Sequence, residues 1–260
     1  MRMSNSFFLT RREFPSDEYN DASKLLIKSG MVIRNNNGIY SYLPMGYKVV
    51  ENIKKIIKQE LTSVCKAEEV FLPTLVYDDG EEDNIFEEVY QITDRSNNKM
   101  KLTHSSSDIY IDLVKHKIKS YKDLHFSLYQ FNRKYRDERH TEYGLIRMKE
   151  FLQCDACSFD SDEGGLDVSY DKMFLAFKNV FSKLSLEPMI VWGDEELFSE
   201  EFQIVSEEGD NTVVKCTSCG YTSNIEDATS KSLVSRREFI PRKRSLVKTP
   251  NKKTIKELSE

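Results

Sequence analysis

The sequence has no long apolar run. Its opening segment, MRMSNSFFLTRREF, contains only the apolar residues FFL before charged residues return. Such a stretch is too short for the core of a signal peptide and far too short to span a bilayer. We therefore expect a cytoplasmic protein that has no membrane segment.

Cysteine is sparse, and positive charge is not in excess. Five cysteines among 260 residues form no dense framework, which favours reduced thiols over a disulfide scaffold. The formal net charge of −5 excludes a protein that is basic overall. Any contact with nucleic acid must then come from a local patch.

The sequence also lacks the glycine-rich motifs that bind phosphates. Neither GxxxxGK[ST] nor GxGxxG occurs. A nucleotide site, if there is one, must therefore be built from residues of another kind.

The segments that are present predict a mixture of helices and strands, as in one large α/β or α+β unit; the resemblance described below favours α+β. Apolar residues recur at three-to-four spacing from Tyr47 to about Val64, and again over residues 165–184, which predicts two amphipathic helices. The aromatic-rich segments DLHFSLYQFNRKYRDE and GLIRMKEFLQCDACSF predict two antiparallel strands of a hairpin. A shorter strand, AEEVFLPTLV, contains Pro73, which indicates an edge or a break. Because an exposed edge needs cover, Pro73 marks a candidate dimer interface.

The predicted hairpin carries an unusual set of side chains. If both segments are strands, Arg136 and Glu138 share one face, and Arg147 and Phe151 share one face of the partner strand. Guanidinium groups suit a polyphosphate, an aromatic ring can stack on a base, and a carboxylate can accept a hydrogen bond from an exocyclic amine. This set predicts a nucleotide site without a glycine-rich loop.

The same residues resemble a known family. KYRDE followed by R-x-x-x-F is similar to the second signature motif of class II aminoacyl-tRNA synthetases, and its flanks LYQFNRKYRDE, YGLIRMKEF and DACSF are most similar to prolyl-tRNA synthetase of the bacterial type. The segment GIYSYLPMGYKVVENI resembles the N-terminal region of that enzyme. The segment EEVFLPTLV, with Pro73, resembles the first class II motif. We therefore expect a class II catalytic fold, an antiparallel sheet flanked by helices.

The resemblance implies a role for each hairpin residue. Arg136 would be catalytic, because it would contact the α-phosphate of ATP as the amino-acid carboxylate attacks. Glu138 would hold the adenine amino group, Arg147 would reach the terminal phosphates, and Phe151 would stack on adenine. The implied cofactors are ATP and Mg²⁺, and the implied partners are a small amino acid and the acceptor end of tRNA, near which the loop residue His140 would lie.

The sequence departs from the family at the amino-acid pocket. The family's Pro-Thr-His-Glu-Glu segment corresponds here to HSSSD, residues 104–108. Ser105 keeps a hydroxyl in the threonine position. Ser107 stands where a glutamate would meet the substrate ammonium, and the loss of a buried charge partner typically costs a few kcal/mol. A second departure is WGDEELFSEEF, which carries Glu200 in place of a histidine of the substrate loop.

A third departure concerns the extent of the chain. Residues 1–229 correspond to a catalytic core with the first two motifs, and residues 230–260 form a basic extension that resembles the entry to the family's editing insertion. No segment carries the third motif. We expect isolated adenylation activity to be weak or absent unless another chain completes the site, and we expect a homodimer or such a completing chain as partner. Two interpretations stay open: part of a split or truncated synthetase, or a shortened paralogue that acts as a non-catalytic regulatory or partner-binding dimer. The serines favour the paralogue.

The cysteine pairs offer a competing zinc hypothesis. Cys154 and Cys157 lie on a predicted strand, where an offset of three directs the side chains to opposite faces. Cys216 and Cys219 resemble a metal-binding knuckle but supply only half of a zinc site. We therefore predict no metal site from these residues.

Overall fold

The structure is a computed structural model that describes residues 5–78, 89–103, 105–141, 143–193 and 199–230. The described residues contain four α-helices: α1 (Asp21–Lys28), α2 (Pro44–Ser63), α3 (Ser107–Lys115) and α4 (Glu163–Lys183). They contain twelve strands: β1 (Val32–Asn36), β2 (Ile39–Tyr42), β3 (Glu68–Glu69), β4 (Leu75–Tyr77), β5 (Gln91–Thr93), β6 (Lys99–Leu102), β7 (Phe126–Tyr135), β8 (Glu150–Phe159), β9 (Met189–Trp192), β10 (Glu200–Gln203), β11 (Val213–Lys215) and β12 (Thr222–Asn224). Short 3₁₀ turns cover Tyr121–Asp123 and Gly144–Ile146.

Local sequence signals explain where the helices begin. The Asn20 side chain accepts a hydrogen bond from the Ser23 backbone N–H at 2.9 Å and caps α1. Helix α2 begins at Pro44, where a missing N–H costs nothing. Asp162 caps α4 by accepting from the Gly165 backbone N–H at 2.9 Å. The predicted helices over residues 47–64 and 165–184 are confirmed, with α2 beginning three residues earlier.

The longest ladder in the described part of the chain is the β7–β8 hairpin. Its ten residue pairs run in antiparallel register from Phe126↔Phe159 to Tyr135↔Glu150. Strand β3 pairs with the outer edge of β7 in parallel. The remaining strands form a β1–β2 hairpin, a three-stranded sheet in the order β4-β6-β5, and a four-stranded sheet in the order β10-β9-β12-β11.

The central core lies between the β7–β8 hairpin and two helices. Leu61 of α2, Tyr129 of β7 and Ala176 of α4 are buried together with Ala67. Full burial of a large apolar side chain contributes about 1.5–3 kcal/mol. This packing makes the hairpin a rigid base for the loop at its end.

The expected α+β architecture, with mostly antiparallel strand pairs and flanking helices, is confirmed. Of the two alternatives predicted at Pro73, an edge or a break, the structure shows a break, because Pro73 lies between β3 and β4. Val70 donates its backbone N–H to Tyr129 O at 2.8 Å. The next contacts to β7 are made by side-chain amides. Gln130 accepts from the Leu72 N–H, and Asn132 donates to the Leu72 C=O. The basic extension predicted from residue 230 lies outside the described residues, except for residue 230 itself.

Candidate functional site

The predicted site residues lie in and beside the loop that joins β7 to β8. Strand β7 ends at Tyr135 and β8 begins at Glu150. Arg136, Glu138 and Arg147 are therefore loop residues, and the prediction that strand alternation aligns them is wrong; only Phe151 lies on a strand. Their arrangement must come from the contacts that fix the loop.

The loop is fixed by contacts at both of its ends and in its middle. The Arg136 backbone N–H donates to Lys149 O at 3.0 Å and adds one more rung to the hairpin. The Lys149 backbone N–H donates to Gly38 O in the β1–β2 turn at 2.8 Å. Near Gly144, the Leu145 backbone N–H donates to the hydroxyl of Ser23 on α1 at 3.2 Å. Helix α1 and the β1–β2 hairpin thus support the loop from one side.

Gly144 shows how closely the loop approaches α1. Its φ is +61°, a left-handed conformation that glycine adopts without steric cost. A Cβ at this position would overlap the Ser23 hydroxyl oxygen. The glycine is therefore required for both the turn and the contact.

Arg136 and Phe151 form one pair of the site. The guanidinium carbon of Arg136 lies 5.3 Å from the centroid of the Phe151 ring, within the range of a cation–π contact. Arg136 is exposed and Phe151 is half-buried. Adenine is expected to stack on the Phe151 ring, and Arg136 is expected to contact the α-phosphate. These two groups are neighbours in the structure.

Glu138 and Arg147 form the other pair, and Asp210 joins it. The carboxylate of Glu138 is buried, with Oε1 accepting from the His140 backbone N–H at 3.1 Å and Oε2 lying 3.4 Å from Arg147 Nη1. Arg147 Nε donates to Asp210 Oδ2 at 2.8 Å. Burial lowers the pKa of Arg147, but the hydrogen bond and charge of Asp210, together with Glu138, outweigh it and raise the pKa above its ordinary value. Arg147 stays cationic at any physiological pH.

Sequence reasoning missed Asp210. It is 63 residues from Arg147 in the sequence and belongs to no motif that names it. It lies in the segment between β10 and β11, within SEEGDN, which reads as an ordinary polar loop. Only the fold brings this acid to the arginine.

A cavity of about 830 Å³ adjoins the Arg147–Asp210 pair. Ile146 of the loop lines one part, and Asp210 lines another. Most of the rest comes from residues of β10 and the segment that follows it, including Glu201, Phe202 and Gln203, and Met189 of β9 and Val213 of β11 complete the wall. The cavity is therefore mixed in character, with apolar walls and several carboxylates.

Ser105 and Ser107 lie at the beginning of α3 and contact each other. Their hydroxyl oxygens are 3.1 Å apart, and the Ser107 backbone N–H donates to Ser105 Oγ at 3.3 Å. Both serines are exposed, whereas Ser106 between them is buried. The hydroxyls thus hydrogen-bond to one another and supply no charge to a substrate ammonium. His104 lies outside the described residues.

A buried polar network lies behind these serines, and sequence reasoning missed it as well. Lys134 is fully buried, lies 2.9 Å from Asp155 Oδ2, and also donates to Ser106 Oγ. Gln130 also donates to Asp155 Oδ2 at 3.2 Å and to Ser106 Oγ at 2.9 Å. A signal was present, because Gln130, Asn132 and Lys134 alternate along one strand and so share one face. Their surroundings of aromatic residues indicated that this face is buried.

The cysteines form no metal cluster in the structure's described ranges, where no group of three His, Cys, Asp or Glu residues could hold an ion. Burial raises the pKa of the Cys154 thiol to about 12. Cys216 lies in the turn between β11 and β12, where backbone N–H groups of Cys219 and Ser218 lower the pKa of its thiol. The pKa values of Cys154 and Cys216 are thus shifted in opposite directions.

The residues around Pro73 expose apolar surface. Leu72 is buried, but Phe71 is 81% exposed, which is unusual for a large aromatic side chain. Tyr77 of β4 is also largely exposed. This surface is consistent with an interface, although Pro73 itself belongs to a connecting segment and not to a strand.

The fold and the loop define a class of protein. Residues 90–241 match the family described as tRNA synthetase class II core domain (G, H, P, S and T), and the chain belongs to this family. The motif resemblance read from the sequence is therefore confirmed.

Within this class the chain is similar to proline–tRNA ligases. It is 36% identical to the proline–tRNA ligase of Syntrophus aciditrophicus (strain SB) over 99% of its own length and 46% of the relative's length. It is 33% identical to the proline–tRNA ligase of Geotalea daltonii (strain DSM 22248 / JCM 15807 / FRC-32) over 100% of its own length and 47% of the relative's length. The chain thus spans about half the length of the curated relatives it matches.

Solved structures support the same fold. Prolyl-tRNA synthetase from Cryptosporidium parvum, complexed with L-proline and AMP, matches with a TM-score of 0.62 and 19% identity over 75% of this chain and 41% of that one. Giardia lamblia prolyl-tRNA synthetase, in complex with prolyl-adenylate, matches with a TM-score of 0.59 and 20% identity over 66% of this chain and 37% of that one. Within the described ranges, none of the helices combines the length and apolarity needed to cross a bilayer.

Proposed function

We propose that the chain binds ATP on the β7–β8 loop and takes part in activating a small amino acid for transfer to tRNA. One observation carries the proposal: Arg136, Glu138, Arg147 and Phe151 lie as two contacting pairs in and beside a single anchored loop that adjoins a cavity. The relatives named above are proline–tRNA ligases, so their reaction is the natural candidate.

Each residue has a place in this reaction. An oxygen of the amino-acid carboxylate attacks the α-phosphorus of ATP, the bond to the bridging oxygen breaks, and pyrophosphate leaves with the electron pair. Arg136, which is exposed beside the Phe151 ring, offsets the charge on the α-phosphate. Arg147 binds the terminal phosphates, Glu138 accepts from the adenine amino group, and Phe151 stacks on adenine. Mg²⁺ would supply further positive charge to the phosphates, and Arg136 and Arg147 are the residues that would lie beside it.

The amino acid is the less constrained part of the proposal. Ser105 and Ser107 form the amino-acid pocket, and neither carries the charge that a substrate ammonium would need. Loss of such a partner typically costs about 2–5 kcal/mol, or more than an order of magnitude in affinity. Proline is therefore a weak substrate unless another carboxylate replaces the missing one.

The remaining partners follow from the same proposal. The loop carrying His140 faces the acceptor end of tRNA, and the Phe71–Pro73 surface forms a homodimer. The third motif completes the nucleotide site. It comes from segments that correspond to the part of the relatives that this chain does not span, in the same polypeptide or in another chain. Full ligase activity requires that completion.

A second candidate function is a non-catalytic dimeric module that regulates or binds a partner. The observation in its favour is Ser107, an exposed hydroxyl where the family has a carboxylate. The exposed Phe71 surface fits this module equally well. The module would keep its fold and its interface without needing to activate any amino acid.

The test is amino-acid-dependent ATP–pyrophosphate exchange on the purified chain, with proline and a panel of the other amino acids. Circular dichroism first establishes that the chain is folded. Exchange with one amino acid, abolished in Arg136→Ala, supports an adenylating enzyme and identifies its substrate. No exchange from the folded chain, alone and after addition of the complementary half of a relative, rejects the ligase and leaves the module.

A further inference from the structure

Asp210 contacts the arginine that the proposed function assigns to the terminal phosphates. We infer that Asp210 is a positioning residue of the nucleotide site: it holds the Arg147 guanidinium so that its outer nitrogens are directed to the triphosphate. The inference rests on the proposed ATP site. It adds to that site an acid that lies 63 residues away in the sequence.

The geometry separates the two carboxylates that contact Arg147. Asp210 takes the inner nitrogen, Nε, in a hydrogen bond of 2.8 Å. Glu138 is 3.4 Å from Nη1, at the long end of the hydrogen-bond range. In the part of the chain that the structure describes, Nη2 has no hydrogen-bond partner. A phosphate can therefore displace Glu138 and bind both outer nitrogens while the bond to Asp210 persists, because a guanidinium has five N–H donors in a fixed plane.

The Arg147–Asp210 pair connects two segments of the chain, and each of these segments is hydrogen-bonded to helix α1. Glu208, two residues before Asp210, accepts hydrogen bonds from the backbone N–H of Asp21 at 3.1 Å and of Ala22 at 3.4 Å, at the beginning of α1. The Arg147 loop reaches the same helix through Leu145 and Ser23. Because α1 fixes both segments, the Arg147–Asp210 contact is set by the fold and is not a chance pairing of surface side chains.

This arrangement orients the arginine before any ligand arrives. The Arg147 side chain is 37% exposed and that of Asp210 is 22% exposed, so solvent screens their attraction and the pair adds little to stability. Its larger effect is on the geometry of the guanidinium, since a preoriented side chain loses less conformational freedom when the phosphate binds. Removing Asp210 should then weaken the binding of ligands that reach Arg147 and spare those that do not.

The experiment compares MgATP with AMP by isothermal titration calorimetry on the full chain. Asp210→Ala should weaken MgATP binding about three- to tenfold and leave AMP within about twofold of wild type, because AMP lacks the terminal phosphates. Asp210→Asn keeps an acceptor for Nε and should recover most of the affinity. In an Arg147→Ala background, Asp210→Ala should cause no further loss.

Glu226→Gln is the control. It removes one negative charge from an exposed position that does not line the cavity beside Asp210, and it should change neither affinity. A loss of MgATP and AMP binding to the same extent in Asp210→Ala would assign Asp210 a merely structural role and overturn the inference. Unchanged or tighter MgATP binding would also overturn it. If the wild-type chain binds neither nucleotide, the proposed function and the inference both fail.

Discussion

The buried ion pair of Lys134 and Asp155 offers the sharpest prediction of stability. Lys134 is fully buried near the loop end of the β7–β8 hairpin, with its ammonium 2.9 Å from Asp155 Oδ2. Asp155 also accepts from Gln130 at 3.2 Å and from Gln153 at 2.6 Å. Lys134→Met removes the cation, keeps the length of the side chain and leaves a carboxylate without its charge partner.

The magnitude follows from that contact set. Removing one partner of a buried ion pair typically costs about 3–5 kcal/mol. Two amide donors still serve Asp155 after the change, which favours the lower end of this range, about 3 kcal/mol. For a chain of this size, that loss corresponds to a Tm lower by roughly 6–12 °C.

The assay is urea unfolding followed by circular dichroism, with Lys134→Met, Asp155→Asn and the double variant compared with wild type. The double variant should recover at least about 1 kcal/mol relative to the sum of the single losses, because it removes the uncompensated charge. If Lys134→Met lowers the free energy of unfolding by less than about 1 kcal/mol, the ion pair is not buried as described. If the losses in the two single variants add strictly, the two side chains are not coupled.

Three further predictions follow from single residues. Gly144→Ala should lower the free energy of unfolding, measured in urea, by about 2 kcal/mol or more. Gly220 also has a positive φ but has open space around it, so Gly220→Ala should lower the same free energy by only about 1 kcal/mol. At pH 8, iodoacetamide should alkylate Cys216 at least about tenfold faster than Cys154, because a thiol with a pKa of about 12 is almost never ionised; equal rates by mass spectrometry would contradict this. Phe71→Ser should shift a dimer toward monomer in analytical ultracentrifugation, and an unchanged mass would exclude this surface as the interface.

Periodicity and composition were sufficient to predict the main elements. The apolar spacing over residues 47–64 identified α2, because one face of that helix packs into the core beside Leu61. The aromatic-rich segments identified the β7–β8 hairpin for the same reason. The family resemblance was carried by short motifs whose chemistry needs particular residue types at particular spacing.

The details of the site depended on tertiary contacts that no local pattern encodes. The hairpin strands stop at Tyr135 and resume at Glu150, so Arg136 and Arg147 are positioned by loop anchors and not by strand alternation. Asp210 reaches the site only because its segment is tied to the beginning of α1. The break at Pro73 was one of the two predicted alternatives, but the sequence did not show that side-chain amides of β7 replace the backbone ladder there.

If ATP binds on the β7–β8 loop, the affinity for MgATP depends on Arg136, and this affinity can be measured for wild type, Arg136→Ala and Arg139→Ala. Both variants remove one positive charge from the same loop, but only Arg136 is assigned a contact with ATP. We expect saturable binding by wild type, a loss of at least about tenfold in Arg136→Ala, and affinity within about twofold of wild type in Arg139→Ala. Equal losses in the two variants, or no binding by a folded wild-type chain, would contradict an ATP site on this loop.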